Sequence, residues 1–169
     1  MGKHMLLEKL TNLCLIVTCA VVASYAGSGL YRNTVTMRPP QAYKPGEKIN
    51  DTADLKFGNA SKTLLLTTRS TCKFCQDSMP FYRSLVATAK RTHTRFVGIT
   101  AEDLNTNREY LDRNGVALDA VVNAGRNGIR RLGTPDLILV QTTGVVLKSW
   151  HGMLDRKNEA DVMRSLETQ

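Results

Sequence analysis

Hydrophobic and polar residues follow each other along the chain in runs that predict alternating strands and helices from residue 60 onward. Short apolar or β-branched runs are typical of buried strands. Between them, apolar residues recur at helical spacing, as Phe81, Leu85 and Ala89 do. The predicted strands are Lys62–Thr68, Arg95–Ile99, Leu137–Val140 and Val145–Ser149, with a short strand at Ala120–Val122, and the predicted helices are Ser78–Lys90, Asn105–Arg113 and Asn158–Leu166.

This order of elements predicts an α/β domain with a central mixed sheet flanked by helices. Alternating strands and helices favour a parallel part of the sheet with helices on its faces. The Thr142-Thr143-Gly144 turn between the last two strands predicts a hairpin, which adds an antiparallel edge. The domain is expected over residues 60–169. The polar, proline-containing residues 32–59 are expected to be the linker and domain entry, with a short strand near Lys48-Ile49.

A charge-free apolar stretch precedes the linker. No charged residue lies between Lys9 and Arg32, and this interval is long enough to cross a bilayer. Residues 1–9 form a basic leader, so residues 10–31 are predicted to form an apolar N-terminal helix that acts as a transmembrane signal anchor or a signal peptide. Cleavage at Ser24-Tyr25-Ala26 would give a secreted form. Both alternatives place the domain on the extracytoplasmic side, whereas a core helix of a soluble domain is the third interpretation.

The charge balance narrows the range of partners. The chain carries 23 basic and 15 acidic side chains, which suits an anionic membrane surface or an acidic partner. Aromatic residues make up 6% of the chain and no nucleic-acid-binding motif occurs, so we expect no binding of nucleic acid.

Two of the four cysteines form a motif with chemical consequences. Cys72 and Cys75 are separated by two residues and lie where the first predicted strand gives way to a helix. A Cys-x-x-Cys at such a junction is typical of redox proteins, because a helix N-terminus stabilises a thiolate. Cys14 and Cys19 lie in the apolar stretch and are expected to be small hydrophobic residues. A structural disulfide or half of a zinc site is the alternative use of the pair.

A second motif lies downstream. Gly133-Thr134-Pro135 directly precedes the apolar run Asp136–Val140, and Pro80 follows the second cysteine by five residues. Together with Cys72-Lys73-Phe74-Cys75, these features make the chain resemble membrane-anchored thiol–disulfide oxidoreductases of the TlpA type, in the thioredoxin superfamily. The resemblance covers roughly Pro45–Leu166 and implies the thioredoxin-like fold. It also implies a cis peptide bond before Pro135, facing the two cysteines.

The resemblance implies an enzyme that catalyses thiol–disulfide exchange. Cys72 would be the attacking nucleophile and Cys75 the resolving residue of a redox disulfide. The residues expected to contact the substrate are Thr134, Pro135, Lys73 and Phe74. The partners would be a protein thiol or disulfide and a membrane or soluble electron donor. No cofactor and no metal are expected.

The chain departs from this family at two positions. Thr71 stands directly before the first cysteine, where many relatives have an aromatic residue. Leu66 stands where thioredoxin buries an acid that helps to move protons.

Two other functions stay open at this point. A Sco-like protein would bind or deliver copper through both cysteines and a histidine. A peroxiredoxin-like peroxidase would use Thr71-Cys72 with an arginine contributed from elsewhere.

Overall fold

The protein is described by a computed structural model. The residues that the structure describes are Glu8, 13–25, 41–130 and 132–168. The chain divides into two compact units, Met1–Pro39 and Pro40–Gln169.

In the first unit, residues 13–25 form helix α1. Among the described residues, no helix has the length and apolar character needed to traverse a membrane. The rest of the predicted segment 10–31 and all of the basic leader except Glu8 lie outside the described residues, as do linker residues 32–40.

A mixed sheet organises the second unit. Its strands are β1 Lys62–Thr67, β2 Arg95–Thr100, β3 Ala120–Asn123, β4 Asp136–Gln141 and β5 Val146–His151. The five strands lie in the order β3-β2-β1-β4-β5. β1 and β3 are both parallel to β2, whereas β4 is antiparallel to β1 and β5. The predicted mixed sheet with a terminal hairpin is therefore confirmed.

β1 is central because its apolar run is buried on both faces. Leu64, Leu65 and Leu66 are each 0% exposed. Successive strand residues point to opposite faces, so Leu64 and Leu66 pack in one core cluster and Leu65 in the other. Continuous apolar runs of this kind are typical of strands covered on both sides.

The helices of the second unit are α2 Lys73–Asp77, α3 Met79–Arg91, α4 Leu104–Arg113 and α5 Arg156–Glu167. Buried residues of α3, α4 and α5 share the core cluster of Leu64 and Leu66. Ser78 separates α2 from α3, and Pro80 lies in the first turn of α3. A proline is tolerated there because the N–H it lacks would have no helical partner.

The opposite core cluster includes residues that the sequence analysis assigned to the linker and domain entry. Tyr43, Ile49, Leu55 and Phe57 are buried against Leu65 and its neighbours. They belong to the compact unit Pro40–Gln169, and Lys48 pairs with Val145 in an isolated antiparallel bridge where a short strand was expected. The burial of these residues could not be predicted, because they are irregularly spaced among polar ones and match neither the helical nor the strand period.

The hairpin turn at Gly144 is hydrogen-bonded to the segment that contains Ile49. The Ile49 N–H donates to the Gly144 carbonyl oxygen at 2.8 Å. Gly144 has a φ of +82°, and a side chain at this position would collide with the Ile49 carbonyl oxygen. Glycine is therefore required both for the turn and for the close approach of the two backbones.

Candidate active site

Cys72 lies at the N-terminus of α2. It is the N-cap residue of that helix, and its Sγ accepts the Cys75 N–H at 3.2 Å. The N–H groups of a first helical turn lack partners within the helix and can hydrogen-bond a negatively charged group. The structure thus places Cys72 at the helix edge where the sequence predicted it.

Cys75 lies one helical turn behind Cys72 and is 0% exposed. Burial raises the pKa of the Cys75 thiol far above its usual range, because a buried thiolate would lose its hydration, and the hydrogen bond to Cys72 adds to the effect. Both cysteines are free thiols, and Cys72 is partly exposed. The two sulfurs therefore have unequal access to a partner.

The raised pKa of Cys75 makes the stability of the reduced protein depend on pH. In the unfolded chain a cysteine ionises near pH 8.5, whereas the folded Cys75 thiol keeps its proton to a higher pH. The unfolded state then binds fewer protons, so the free energy of unfolding falls as pH rises above 8.5, by up to about 1.4 kcal/mol per pH unit. Denaturant titrations under reducing conditions at about pH 7, 8.5 and 9.5 should show a steeper fall in wild type than in Cys75→Ser. Parallel pH dependences would contradict a buried neutral thiol.

The loop before β4 meets the cysteines. The Thr134–Pro135 peptide bond is cis, as the resemblance implied. The Cys72 Sγ lies 3.4 Å from the Thr134 carbonyl oxygen, within hydrogen-bond distance for sulfur. Pro135 is buried and Thr134 is half-buried. The structure therefore brings Cys72 and this loop together, although they lie far apart in the sequence.

Buried polar groups hold the loop in place. The Thr67 hydroxyl donates to the Gly133 carbonyl oxygen at 2.7 Å and accepts the Asp136 N–H at 2.7 Å. The Asp136 carboxylate accepts the Gly133 N–H at 3.0 Å and the Gly152 N–H at 3.3 Å, and lies 3.3 Å from His151 Nδ1. Thr67 and Asp136 are paired across β1 and β4, so the register of the sheet fixes the loop.

Substitutions at two threonines of β1 measure the contribution of the Thr67 hydroxyl to the free energy of unfolding. Thr67→Val should lower the free energy of unfolding by about 1–3 kcal/mol, because it leaves the buried Asp136 N–H without its acceptor. Thr63→Val, on the same strand, is the control, because the buried Thr63 Oγ1 has no hydrogen-bond partner among the described residues. We expect that change to be neutral or stabilising. If urea denaturation shows the same loss of unfolding free energy in Thr67→Val and Thr63→Val, the assigned role of Thr67 is contradicted.

The two residues between the cysteines face solvent. Lys73 pairs with Asp77 at 2.9 Å, and its side chain is 80% exposed. Such an exposed pair contributes little to stability, and it directs the lysine charge toward Asp77. Phe74 is 57% exposed, which leaves a large apolar ring beside Cys72. Met153 is also exposed, and it follows Gly152, whose N–H donates to the Pro135 carbonyl oxygen at 2.8 Å.

Solved structures of redox proteins share this architecture. A protein described as a disulfide isomerase from Bacteroides thetaiotaomicron superposes with a TM-score of 0.62 at 17% identity, over 78% of this chain and 92% of that one. A protein described as the thiol:disulfide interchange protein DsbE from Chlorobium tepidum gives 0.56 at 19% identity, over 74% and 99%. Peroxiredoxin Q from Xanthomonas campestris gives 0.53 at 10% identity, over 67% and 82%. The chain has a thioredoxin-like fold.

No protein-family model matches the sequence, and neither does any curated protein. At these identities the structural likeness establishes the fold alone. The chemistry of this thioredoxin-like domain therefore depends on the residues at its own site.

A cavity of about 380 Å³ opens beside Thr134. It lies where β1 and β2 end, which is the edge at which parallel sheets bind ligands. Its lining combines apolar side chains with two arginines, and includes Ile99, Ala124, Ile129, Leu132, Arg69 and Arg130. Arg130 is paired with Glu47, and its guanidinium stacks 3.7 Å from the centre of the Tyr43 ring. The cavity therefore suits an apolar side chain next to the candidate nucleophile.

The sequence analysis missed a polar network beside the cysteine loop. Glu102 Oε1 accepts the Ser70 N–H at 2.8 Å, and Oε2 accepts the Ser70 hydroxyl at 2.8 Å. Asn107 is 0% exposed; it donates to Glu102 Oε1 at 2.7 Å, and its Oδ1 accepts the Thr68 hydroxyl at 3.0 Å. Glu102 is two residues after the end of β2, and polar residues that follow neighbouring parallel strands meet at one edge of the sheet. The position of Glu102 shortly after β2 was therefore the sequence signal that could have predicted this network.

Within residues 13–25, 41–130 and 132–168, together with Glu8, no three His, Cys, Asp or Glu side chains are grouped so that they could hold a metal ion.

Proposed function

We propose that the protein is an exported thiol–disulfide oxidoreductase that acts on protein substrates through Cys72 and Cys75. The observation that carries the proposal is the 3.4 Å contact between Cys72 Sγ and the Thr134 carbonyl oxygen. It sets a partly exposed thiol at a helix N-terminus against a loop whose backbone can align a substrate. Thiol–disulfide exchange requires such an accessible sulfur and a second sulfur within reach behind it.

The exchange proceeds in two steps. The Cys72 thiolate attacks one sulfur of a substrate disulfide, so that a Cys72–substrate disulfide forms, the substrate S–S bond breaks and the departing sulfur takes a proton from solvent. Cys75 then releases its proton to solvent and attacks Cys72 Sγ. The Cys72–Cys75 disulfide forms, and the remaining substrate sulfur leaves as a thiolate. The substrate gains two electrons, and a dithiol donor returns the protein to its reduced form.

The environments of the two cysteines support this division of roles. The buried Cys75 thiol holds its proton more strongly than an ordinary cysteine, which keeps it from attacking external disulfides. It becomes the attacking group only when the mixed disulfide lies directly beside it. The same steps in reverse would oxidise a substrate, so the reduction potential sets the direction.

The surface near Cys72 supports a protein substrate. The exposed Phe74 ring offers an apolar contact, and such exposed apolar side chains commonly mark binding sites when they cluster. An extended peptide can pair with the backbone of Thr134 by strand addition. We propose that Lys73 and Pro135 complete the contact surface, with one side chain of the substrate in the adjoining cavity.

We also propose that residues 10–31 export the domain and, when uncleaved, tether it to the membrane. The charge-free interval between Lys9 and Arg32 supports this proposal. Disulfides persist outside the cytoplasm, where a membrane or soluble dithiol protein would supply electrons. Digestion of the domain by protease added to intact spheroplasts would support export. Full protection until the cells are lysed would overturn it.

Reduction of insulin disulfides, with dithiothreitol as electron donor, tests the proposed activity. Wild type is expected to accelerate insulin precipitation. A peroxidase is the second candidate, because Thr71 precedes Cys72 and the fold is shared with peroxiredoxin Q. Peroxide consumption that survives Cys75→Ser would favour that candidate. Tight copper binding that needs both cysteines and a histidine would favour a Sco-like protein. Either the peroxide result or the copper result, found together with no insulin reduction, would overturn our proposal.

A further inference from the structure

We infer that Glu102 is a positioning residue for disulfide exchange, which fixes the loop that carries Cys72 and places a negative charge on that loop. This inference rests on the proposed function and extends it to a residue of the β2–α4 connection. Glu102 takes no part in the two exchange steps themselves.

Hydrogen bonds to the Glu102 carboxylate fix the loop before Cys72. The Glu102 carboxylate accepts three hydrogen bonds, from the Ser70 N–H, the Ser70 hydroxyl and the Asn107 amide. Ser70 is two residues before Cys72. The Cys72 N–H in turn donates to the Arg69 carbonyl oxygen at 3.1 Å. The double contact at Ser70 therefore fixes the turn that ends at the candidate nucleophile.

Asn107 anchors this contact in the protein interior. Its amide nitrogen binds Glu102 and its amide oxygen accepts the Thr68 hydroxyl, so both ends of a fully buried side chain are satisfied. Buried polar groups with complete hydrogen bonding hold a single arrangement, because any rotation leaves a partner unpaired. Helix α4, the end of β1 and the cysteine loop are thus joined through Glu102.

Glu102 also has an electrostatic role. The Tyr110 hydroxyl is buried and has no hydrogen-bond partner among the described residues. Burial raises the pKa of Tyr110 to about 12, and Cys75, Cys72 and Glu102 each add a repulsive interaction with its anionic form. Geometry places the Glu102 charge close to Cys72 in the chain, because the carboxylate binds both the N–H and the hydroxyl of Ser70, two residues before Cys72.

The other charged or titratable groups near the thiols are paired, exposed or neutral. Asp136, the buried carboxylate behind the Thr134 loop, accepts the Gly133 and Gly152 N–H groups and lies 3.3 Å from His151 Nδ1. Lys73 and Asp77 pair with each other, and Arg69 is exposed. Tyr82 is buried near both cysteines, and burial raises its pKa strongly, so it stays neutral. A fixed carboxylate disfavours the Cys72 thiolate, and hence favours the disulfide over the dithiol form. Glu102 would therefore make the pair a stronger reductant.

Two substitutions separate the charge from the hydrogen bonds. Glu102→Gln removes the charge but keeps the shape: its amide oxygen can accept from Ser70 N–H and Asn107, and its amide nitrogen can donate to the Ser70 hydroxyl. Glu102→Ala removes both. Glu109→Gln is the matched control, because Glu109 is an exposed acid on α4.

The decisive measurement is the pH profile of Cys72 alkylation by iodoacetamide, in the full chain carrying Cys75→Ser, followed by peptide mass spectrometry. In Glu102→Gln the midpoint should move to lower pH. Below the midpoint, alkylation should be about threefold faster, because the gain in thiolate outweighs the lower nucleophilicity of each thiolate. Glu109→Gln should match the unsubstituted chain. An unchanged midpoint in Glu102→Gln would overturn the electrostatic part of the inference.

Hydrogen exchange tests the positioning part. Amides from Ser70 to Cys72 should exchange about tenfold faster or more in Glu102→Ala, and at nearly the original rate in Glu102→Gln. If the amides from Ser70 to Cys72 are equally protected from exchange in Glu102→Ala and Glu102→Gln, the positioning role is overturned. Neither readout requires turnover. If the proposed function is overturned and these shifts are still observed, Glu102 fixes the Cys72 loop for a different chemistry, so the two failures are distinguishable.

Discussion

Cys72→Ser is expected to abolish insulin reduction, with a loss on the order of a thousandfold or more. A serine hydroxyl is almost fully protonated at neutral pH and is a weak nucleophile unless a neighbouring base activates it. Cys75 cannot replace the missing sulfur, because it is fully buried and holds its proton strongly. The rate of insulin precipitation with dithiothreitol as donor measures this loss.

Cysteine removal elsewhere in the chain provides the control. Cys14→Ser and Cys19→Ser change residues of α1, outside the candidate active site, and should retain the wild-type rate. The unfolding midpoint of each variant should be compared, so that a loss of activity is not confused with a loss of fold. A Cys72→Ser variant that is folded and within about tenfold of wild type would contradict a nucleophilic role.

Phe57→Ala is expected to lower the free energy of unfolding by about 3–5 kcal/mol. The Phe57 ring is 0% exposed and packs in the core cluster of Leu65 and Val97. Its loss leaves a cavity between the sheet and a segment that sequence patterns assigned to the linker and domain entry. Chemical denaturation monitored by circular dichroism gives the value directly.

The same substitution at an exposed phenylalanine is the control. Phe74→Ala should change the free energy of unfolding by no more than about 0.5 kcal/mol, because the Phe74 ring is 57% exposed. It should instead raise the KM for a protein substrate if the ring contacts that substrate. Equally small stability effects at both positions would contradict the inclusion of residues 41–59 in the domain.

Much of the fold could be predicted because its central elements have strong local patterns. The run Leu64–Leu66 identifies a strand buried on both faces, and the apolar residues Leu137–Val140 identify its antiparallel neighbour. The Thr142-Thr143-Gly144 turn specifies the hairpin that follows. These features act over a few residues, so one sequence is enough to recognise them.

Contacts between distant residues could not be predicted in the same way. Glu102 meets Ser70, and Asn107 meets Thr68, only because β1 and β2 are parallel and end side by side. Trp150 is buried, and its indole N–H donates to Asp161 at 2.9 Å. Single side chains of this kind leave no periodic signal.

One feature of the motif was open to prediction at the sequence level. Lys73, the residue after Cys72, pairs with Asp77. The two residues are four apart on a helix, a spacing at which opposite charges meet. This ion pair could therefore be predicted from the spacing alone.

The trapping of a mixed disulfide tests the central claim most directly. The Cys75→Ser chain is incubated with oxidised insulin, quenched with acid and mapped by mass spectrometry without reduction. We predict one insulin chain linked to Cys72, and no such adduct in the variant that also carries Cys72→Ser. The absence of an adduct at Cys72, or equal labelling of Cys14 and Cys19, would contradict the assignment of Cys72 as the exchanging thiol.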